Sequence, residues 1–373
     1  MMYGCCIILT LLTVGRYVNS TEKERKEMQN RALLGIKVFS DETQYKQIGN
    51  PVHHIAFIKV PKSASTTVQN IFLRYGDEHN LTFALPSVNL AGGPRLTSKY
   101  FYPPANNNTY DISCTHIIYN TTDFNRAMPH DTRYIVVVRE PFSRFQSAVK
   151  FSRYKDVISI EGDDPVLEFL RKEEIQMKKP KGLRNKGICN PMSMFLGFPD
   201  QLFGKTVDRE IKAYLLQLEK EIDIVLILEQ LDESIVLMRR MLNWDLRHVL
   251  YSKLRVNKQT DPRLKFGEAE RKLYKDCGHP DYQVYAFFAQ KLKEMIRKQP
   301  PDFYDELAYF RKTRQKFDSF CSTVLSDDFY KEMTFEGSMW NKPFVVKKEH
   351  CEKLHAHDVN YLEMLKRKQG YKQ

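Results

Sequence analysis

Three times in this chain a short, continuously apolar run leads into a tight polar turn and then into apolar residues at helical spacing. IAFIKVPKSASTTVQNIFLRYG (55–76), YIVVVREPFSRFQSAVKF (134–151) and DIVLILEQLDESIVLMRRML (223–242) share this order. Runs that are apolar at every position suit strands buried on both faces, and strands alternating with helices pair in parallel. The expected fold class is therefore α/β, with a parallel sheet flanked by helices.

Periodicity places the boundaries. The folded part should begin near Pro51, with a strand over 54–60 and a helix over 65–75 that carries Val68, Ile71, Phe72 and Tyr75 on one face. A second strand covers 134–138, before a helix bearing Phe145, Ala148, Val149 and Phe151, and a third covers 223–231. DISCTHIIY (111–119) is a further short strand candidate, while 86–110, rich in Gly, Pro and Asn, reads as an irregular connection. The apolar helix around Met238 to Trp244 reads as core rather than a lipid-contact surface. From about Arg271 the chain is helical in pattern and basic, and its last residues, KRKQGYKQ, read as a solvated tail.

In an open α/β sheet, ligands bind beyond the carboxyl ends of the strands, where helix N-termini point N–H groups outward. The turn PKSASTT sits at such an end. Lys62 offers a point charge, and Ser63, Ser65, Thr66 and Thr67 offer hydroxyls and helix-start N–H groups. Taken locally, an anion cradle and a simple helix cap are evenly balanced, because Ser and Thr cap helices well. The turn is not a Walker A loop, since the glycines are missing and the lysine stands at the other end. The second turn tips the balance. Arg139 follows YIVVV, and Ser147 lies eight residues later on the next helix, with Arg144 between them. Arginine suits bidentate phosphate recognition. Two anion sites on neighbouring strand ends call for a ligand with two separated anionic groups, such as a nucleotide with a 5′ phosphosulfate and a 3′ phosphate.

IKVPKSASTTV resembles the 5′-phosphosulfate loop, and VVVREPFSRFQSAV the 3′-phosphate segment, of sulfotransferases that use 3′-phosphoadenosine 5′-phosphosulfate (PAPS). The wider text, including HNLTFALP, CTHIIYN and DESIVLMRRMLNWDL, is similar to the galactose-3-O-sulfotransferase family, which includes the galactosylceramide sulfotransferases. The likeness spans roughly Pro51 to Lys293. It implies the sulfotransferase fold, PAPS as donor, no metal, and transfer of sulfate to the 3-hydroxyl of a terminal galactose on a glycolipid or glycoprotein. It also implies that Lys62, with Ser63, Ala64, Ser65, Thr66 and Thr67, holds the 5′ end of the donor, and that Arg139 and Ser147 hold the 3′ phosphate. One departure is that Pro61 stands where relatives offer a loop histidine. The search for a general base therefore moves to His116 in CTHIIYN, with Glu140 as second candidate. His53 and His54 precede the first strand, at the opposite end from the chemistry, and His79 should face solvent. Alternative readings are sulfation of another glycan, such as a glycosaminoglycan uronic acid, and a relative that binds glycans without catalysis.

The formal charge of +12 favours anionic partners. No zinc-finger spacing, RNP-like motif or basic–aromatic repeat singles out nucleic acid. The N-terminal run Cys5–Val14 is too short for a comfortable membrane-spanning helix and fits a signal peptide or short signal anchor over 1–20, with a charged stem over 21–50 and the sulfotransferase domain over 51–373. Sequons at Asn19, Asn80, Asn107 and Asn120 agree with a secretory route. A Golgi membrane protein with a lumenal catalytic domain is expected, with secretion after signal cleavage as the alternative. A homodimer is one assembly the sequence leaves open. Cys114, Cys189, Cys277, Cys321 and Cys351 would supply two disulfides and leave one thiol.

Overall fold

The computed structural model describes residues 49–88, 93–104, 109–151, 154–177, 186–203, 207–252, 261–326 and 332–371. The N-terminal apolar run, the stem up to residue 48 and the sequons at Asn19 and Asn107 lie outside them. Four strands form the main sheet: β1 (Ile55–Ile58), β2 (Ile112–Ser113), β3 (Arg133–Val138) and β4 (Ile224–Ile227), in the order β2-β1-β3-β4. Every pairing is parallel, with Ile55 opposite both Ile112 and Arg133, and Ile135 opposite Ile224. All residues of β1 and β4 are buried, so helices cover both faces, as the unbroken apolar runs require.

The helices follow the same logic. α1 (Ser65–Glu78) sets Phe72 against Phe57 of β1, ring centroids 5.1 Å apart. α2 (Thr121–Ala127) precedes β3, and α3 (Pro141–Phe151) follows it. Pro141 suits the first helical position because its missing N–H has no partner to lose there. α4 (Leu231–Leu242) and α5 (His279–Arg297) pack on β4. Met238, Leu242 and Trp244 are core residues, as their spacing indicated.

Several expectations shift. Within 111–119 only Ile112–Ser113 is strand. Beyond it the backbone turns elsewhere: Ile118 N–H donates to Pro94 O (2.9 Å) and Tyr119 N–H to Phe195 O (2.9 Å). The apolar residues there are buried under loops rather than along the sheet. The run 223–231 stops as a strand at Ile227 and tightens into a 3₁₀ turn, Leu228–Gln230. The C-terminal third also contains an antiparallel hairpin, β5 (Glu332–Phe335) and β6 (Phe344–Lys347), with Phe335 stacked on Phe344. Residues 366–371 are docked rather than a solvated tail. In α8 (Asp358–Lys368), which follows α7 (Lys348–His355), Tyr361 and Leu365 are buried. Lys368 Nζ donates to Asp77 (2.8 Å) and Gln369 to Leu81 O (3.0 Å). His79 is half-buried, donating from Nδ1 to Tyr75 O (2.8 Å) and stacked on that ring.

Two disulfides form, Cys189–Cys277 and Cys321–Cys351, and Cys114 is a buried thiol. Burial pushes that thiol up to about 12, against the opposing pull of Lys59, so it is unreactive near neutrality. The first bridge sits beside a second apolar cluster in which Phe142, Phe145 and Tyr274 pack around Arg144. Arg144 donates to Tyr274 Oη (3.0 Å) and Ile188 O (2.5 Å), away from the strand ends.

A buried charge cluster ties α4 to α6 (Asp302–Ser326). Glu306 accepts from Arg239 and from Arg240 Nε (2.6 Å), and Arg239 also donates to Trp340 O (2.7 Å). Removing one partner leaves uncompensated charge in the interior. Glu306→Ala should therefore lower unfolding free energy by about 3–5 kcal/mol, read as an earlier denaturant midpoint at an unchanged slope.

Candidate active site

The carboxyl ends of all four strands meet at one cavity of about 680 Å³. Its wall includes Pro61, Lys62 and the start of α1 after β1, His116 after β2, Arg139 after β3, and Leu228 and Glu229 after β4. The chain passes from β1 outward to β2 and from β3 outward to β4 in the opposite direction, so the ends of β1 and β3 bound a crevice of the kind where open parallel sheets bind ligands.

The loop after β1 leaves the sheet because Lys59 is polar and Pro61 cannot donate to a ladder. Lys62 (φ 66°) and Ala64 (φ 56°) both adopt left-handed backbone, unusual for residues with a Cβ and typical of strained functional loops. Ala64 is the N-cap of α1 and supplies no side-chain cap. The Ser and Thr side chains thus do not serve as the helix cap. Ser65, Thr66 and Thr67 line the cavity with Ala64, while Ser63 lies behind the wall, its Oγ buried without a partner. Arg139 Nη1 donates to Lys62 O (3.0 Å), which pins this turn, and its Nε is also buried without a partner. Burial lowers the Arg139 pKa from its usual value, with Glu229 pulling the other way. The Lys62 ammonium lies 3.5 Å from the centre of the Phe151 ring, at the far end of α3.

Ser147 lines the cavity together with Ser143, Gln146, Lys150 and Phe151 of α3. Spacings of three and four residues put them on one helix face. Sequence reading singled out only Ser147, although the same periodicity points to its neighbours. Glu140 is a helix cap: its carboxylate accepts from Phe142 N–H (3.2 Å) and Ser143 N–H (2.7 Å) and pairs with Arg271. It does not line the cavity.

His116 does line it. Its Nδ1 lies 2.8 Å from Lys59 O, and a carbonyl only accepts, so Nδ1 carries the proton and Nε2 the lone pair. Burial, then the positive charge of Lys59, lowers its pKa to about 3, so the ring is neutral near pH 7. His54 sits at the other end of β1, with Asp131 and Asp111. Two further sets of cavity residues come from outside the three strand–turn–helix units or from their unremarked positions. Asp358 arrives from α8 and pairs with Lys59 Nζ at 3.2 Å. Asp232, Glu233, Tyr251 and Arg311 form another part of the wall, with Arg311 paired to both carboxylates and Tyr251 Oη donating to Asp232 (2.7 Å).

The residues suit a doubly anionic nucleotide. Helix-start N–H groups without a side-chain cap and two cations, Lys62 and Arg139, the latter with its Nε buried without a partner, converge on one crevice. Among the described residues no cluster of His, Cys, Asp or Glu has the arrangement of a metal site.

A model of the galactose-3-O-sulfotransferase family matches residues 2–331. The chain is 27% identical over 286 residues to "Galactose-3-O-sulfotransferase 2" of Sus scrofa, covering 73% of this chain and 70% of that protein. It is 32% identical over 204 residues to "Galactose-3-O-sulfotransferase 3" of Mus musculus, covering 54% and 47%. With "Galactosylceramide sulfotransferase" of Homo sapiens it shares 29% identity over 223 residues, covering 57% and 51%. With the family match extending over most of the chain and through both turns that build the cavity, this protein belongs to the galactose-3-O-sulfotransferase family.

Proposed function

We propose that this protein transfers a sulfuryl group from PAPS to the 3-hydroxyl of a terminal galactose on a glycolipid or glycoprotein. The observation that carries this reading is the convergence of the uncapped α1 N-terminus and Lys62 with the Arg139–Ser147 wall on one cavity. In this reading, Lys62 and residues 63–67 hold the 5′ end of the donor, and Arg139 with Ser147 holds the 3′ phosphate. PAPS supplies the activated sulfuryl group when bound.

The protein's own residues divide the remaining work. His116 Nε2 takes the proton of the acceptor hydroxyl as its oxygen bonds to sulfur. The electron pair of the broken S–O bond stays on the departing phosphate oxygen, where Lys62 stabilises it. A cation aimed at charge that grows during the reaction strengthens in the transition state.

Glu229, Asp232, Glu233 and Tyr251 line one part of the cavity, with Arg311 paired to Asp232 and Glu233. Carboxylates and a tyrosine hydroxyl suit hydrogen bonds to a neutral sugar. The two disulfides, together with the exposed sequon at Asn80, support a lumenal setting in the Golgi, with the N-terminal segment as signal anchor. Calorimetric titration with the desulfated donor nucleotide tests the donor site. Saturable binding that weakens in Arg139→Ala supports the reading, and no binding, or binding indifferent to that change, removes it.

A further inference from the structure

The family match ends at residue 331, yet the segment after it reaches the cavity. α7 and α8 form a strap across α1, and the hairpin β5–β6 leads into it. Cys351 of α7 is bonded to Cys321 of α6. Asn70 of α1 donates to Lys353 O (3.0 Å), and Asp77 accepts from Lys353 (2.6 Å) and Lys368 (2.8 Å). Tyr361 and Leu365 are buried on the same side. These anchors put the first residue of α8, Asp358, at the carboxyl end of β1. There its Oδ2 lies 3.2 Å from the buried Lys59 Nζ, which Gln69 also holds at 2.6 Å. The carbonyl of that same Lys59 accepts a hydrogen bond from His116 Nδ1.

We propose that Asp358 is a positioning residue for sulfuryl transfer, a carboxylate from the C-terminal strap that fixes Lys59 and offsets the positive charge around His116 as that ring takes up the acceptor proton. The inference rests on His116 being the base. A proton on Nε2 creates an imidazolium near two lysines, Lys59 and Lys62, and Asp358 is the acidic group that favours the charged ring. A carboxylate held by a salt bridge at the cavity wall supplies that compensation without having to move as the reaction proceeds.

The test compares the full chain with Asp358→Asn, Asp358→Glu, His116→Ala and the double variant Asp358→Asn/His116→Ala, using PAPS and a β-galactoside. Asn can still accept from Lys59, so the fold should persist, with an unchanged melting temperature. Asp358→Asn should lower kcat by about tenfold with donor affinity unaltered, Asp358→Glu should recover part of the loss, and Asp358→Asn should add little in the His116→Ala background. Full kcat in Asp358→Asn, an equal loss with and without His116, or a loss that tracks donor affinity and melting temperature would each overturn the proposal. An inactive native chain would instead reject the sulfotransferase reading itself.

Discussion

Lys62→Ala should cut turnover roughly 100- to 1,000-fold, the scale seen when one preorganised group that stabilises developing charge is removed. Donor affinity should fall by less, because the N–H groups of α1 and Arg139 remain. The left-handed backbone at Lys62 and its carbonyl bond to Arg139 hold the loop in place, while the side chain rests on the exposed ring of Phe151. A long cationic side chain resting on an exposed ring can swing toward an anion without rebuilding the loop. Single-turnover rates beside calorimetric affinities separate the two effects. A loss confined to affinity would assign Lys62 to binding alone.

For His116→Ala the expected loss of turnover is about 100- to 10,000-fold, the range of general base catalysis, with donor affinity retained. The ring's pKa of about 3 gives the claim a second handle. Folded His116 stays neutral as pH falls from 7 to 5, whereas the unfolded chain takes up a proton near 6.5. Proton uptake by the unfolded state alone makes acid destabilising between about pH 6.5 and 3, by at most about 1.4 kcal/mol per pH unit from this group. Denaturant midpoints measured at pH 7 and 5 should therefore differ less in His116→Ala than in the native chain. Near-normal turnover in this variant would move the base to another group in the cavity.

Much of this site can be read in the chain because its parts are local. A buried strand, a polar turn and a helix are contiguous, so 55–76 and 134–151 disclose both the sheet and the two turns that line the cavity. His116 could be picked out as well, although its surroundings are a bend rather than a strand, because hydrogen bonds to Pro94 and Phe195 draw the backbone off the sheet. Glu140 shows the limit of reading residue types alone. A carboxylate next to Arg139 suggests catalysis, but the following proline and helix make it a cap. Asp358 was beyond reach for a different reason: it meets Lys59 across a separation of 299 residues, and no periodicity reports such a contact. The docked C-terminus was missed likewise, since a basic run looks solvated until Asp77, inside another helix, holds Lys368 of that run beside Lys353.

Sulfate transfer itself is the most direct test. The chain would be incubated with PAPS labelled in its sulfuryl group and with a terminal β-galactoside, galactosylceramide and a desulfated glycosaminoglycan in parallel. Label should appear on the galactosides, at the 3-hydroxyl of galactose, and should fall sharply in Lys62→Ala and Arg139→Ala. Label on the glycosaminoglycan alone, or on none of the three, would contradict the assignment.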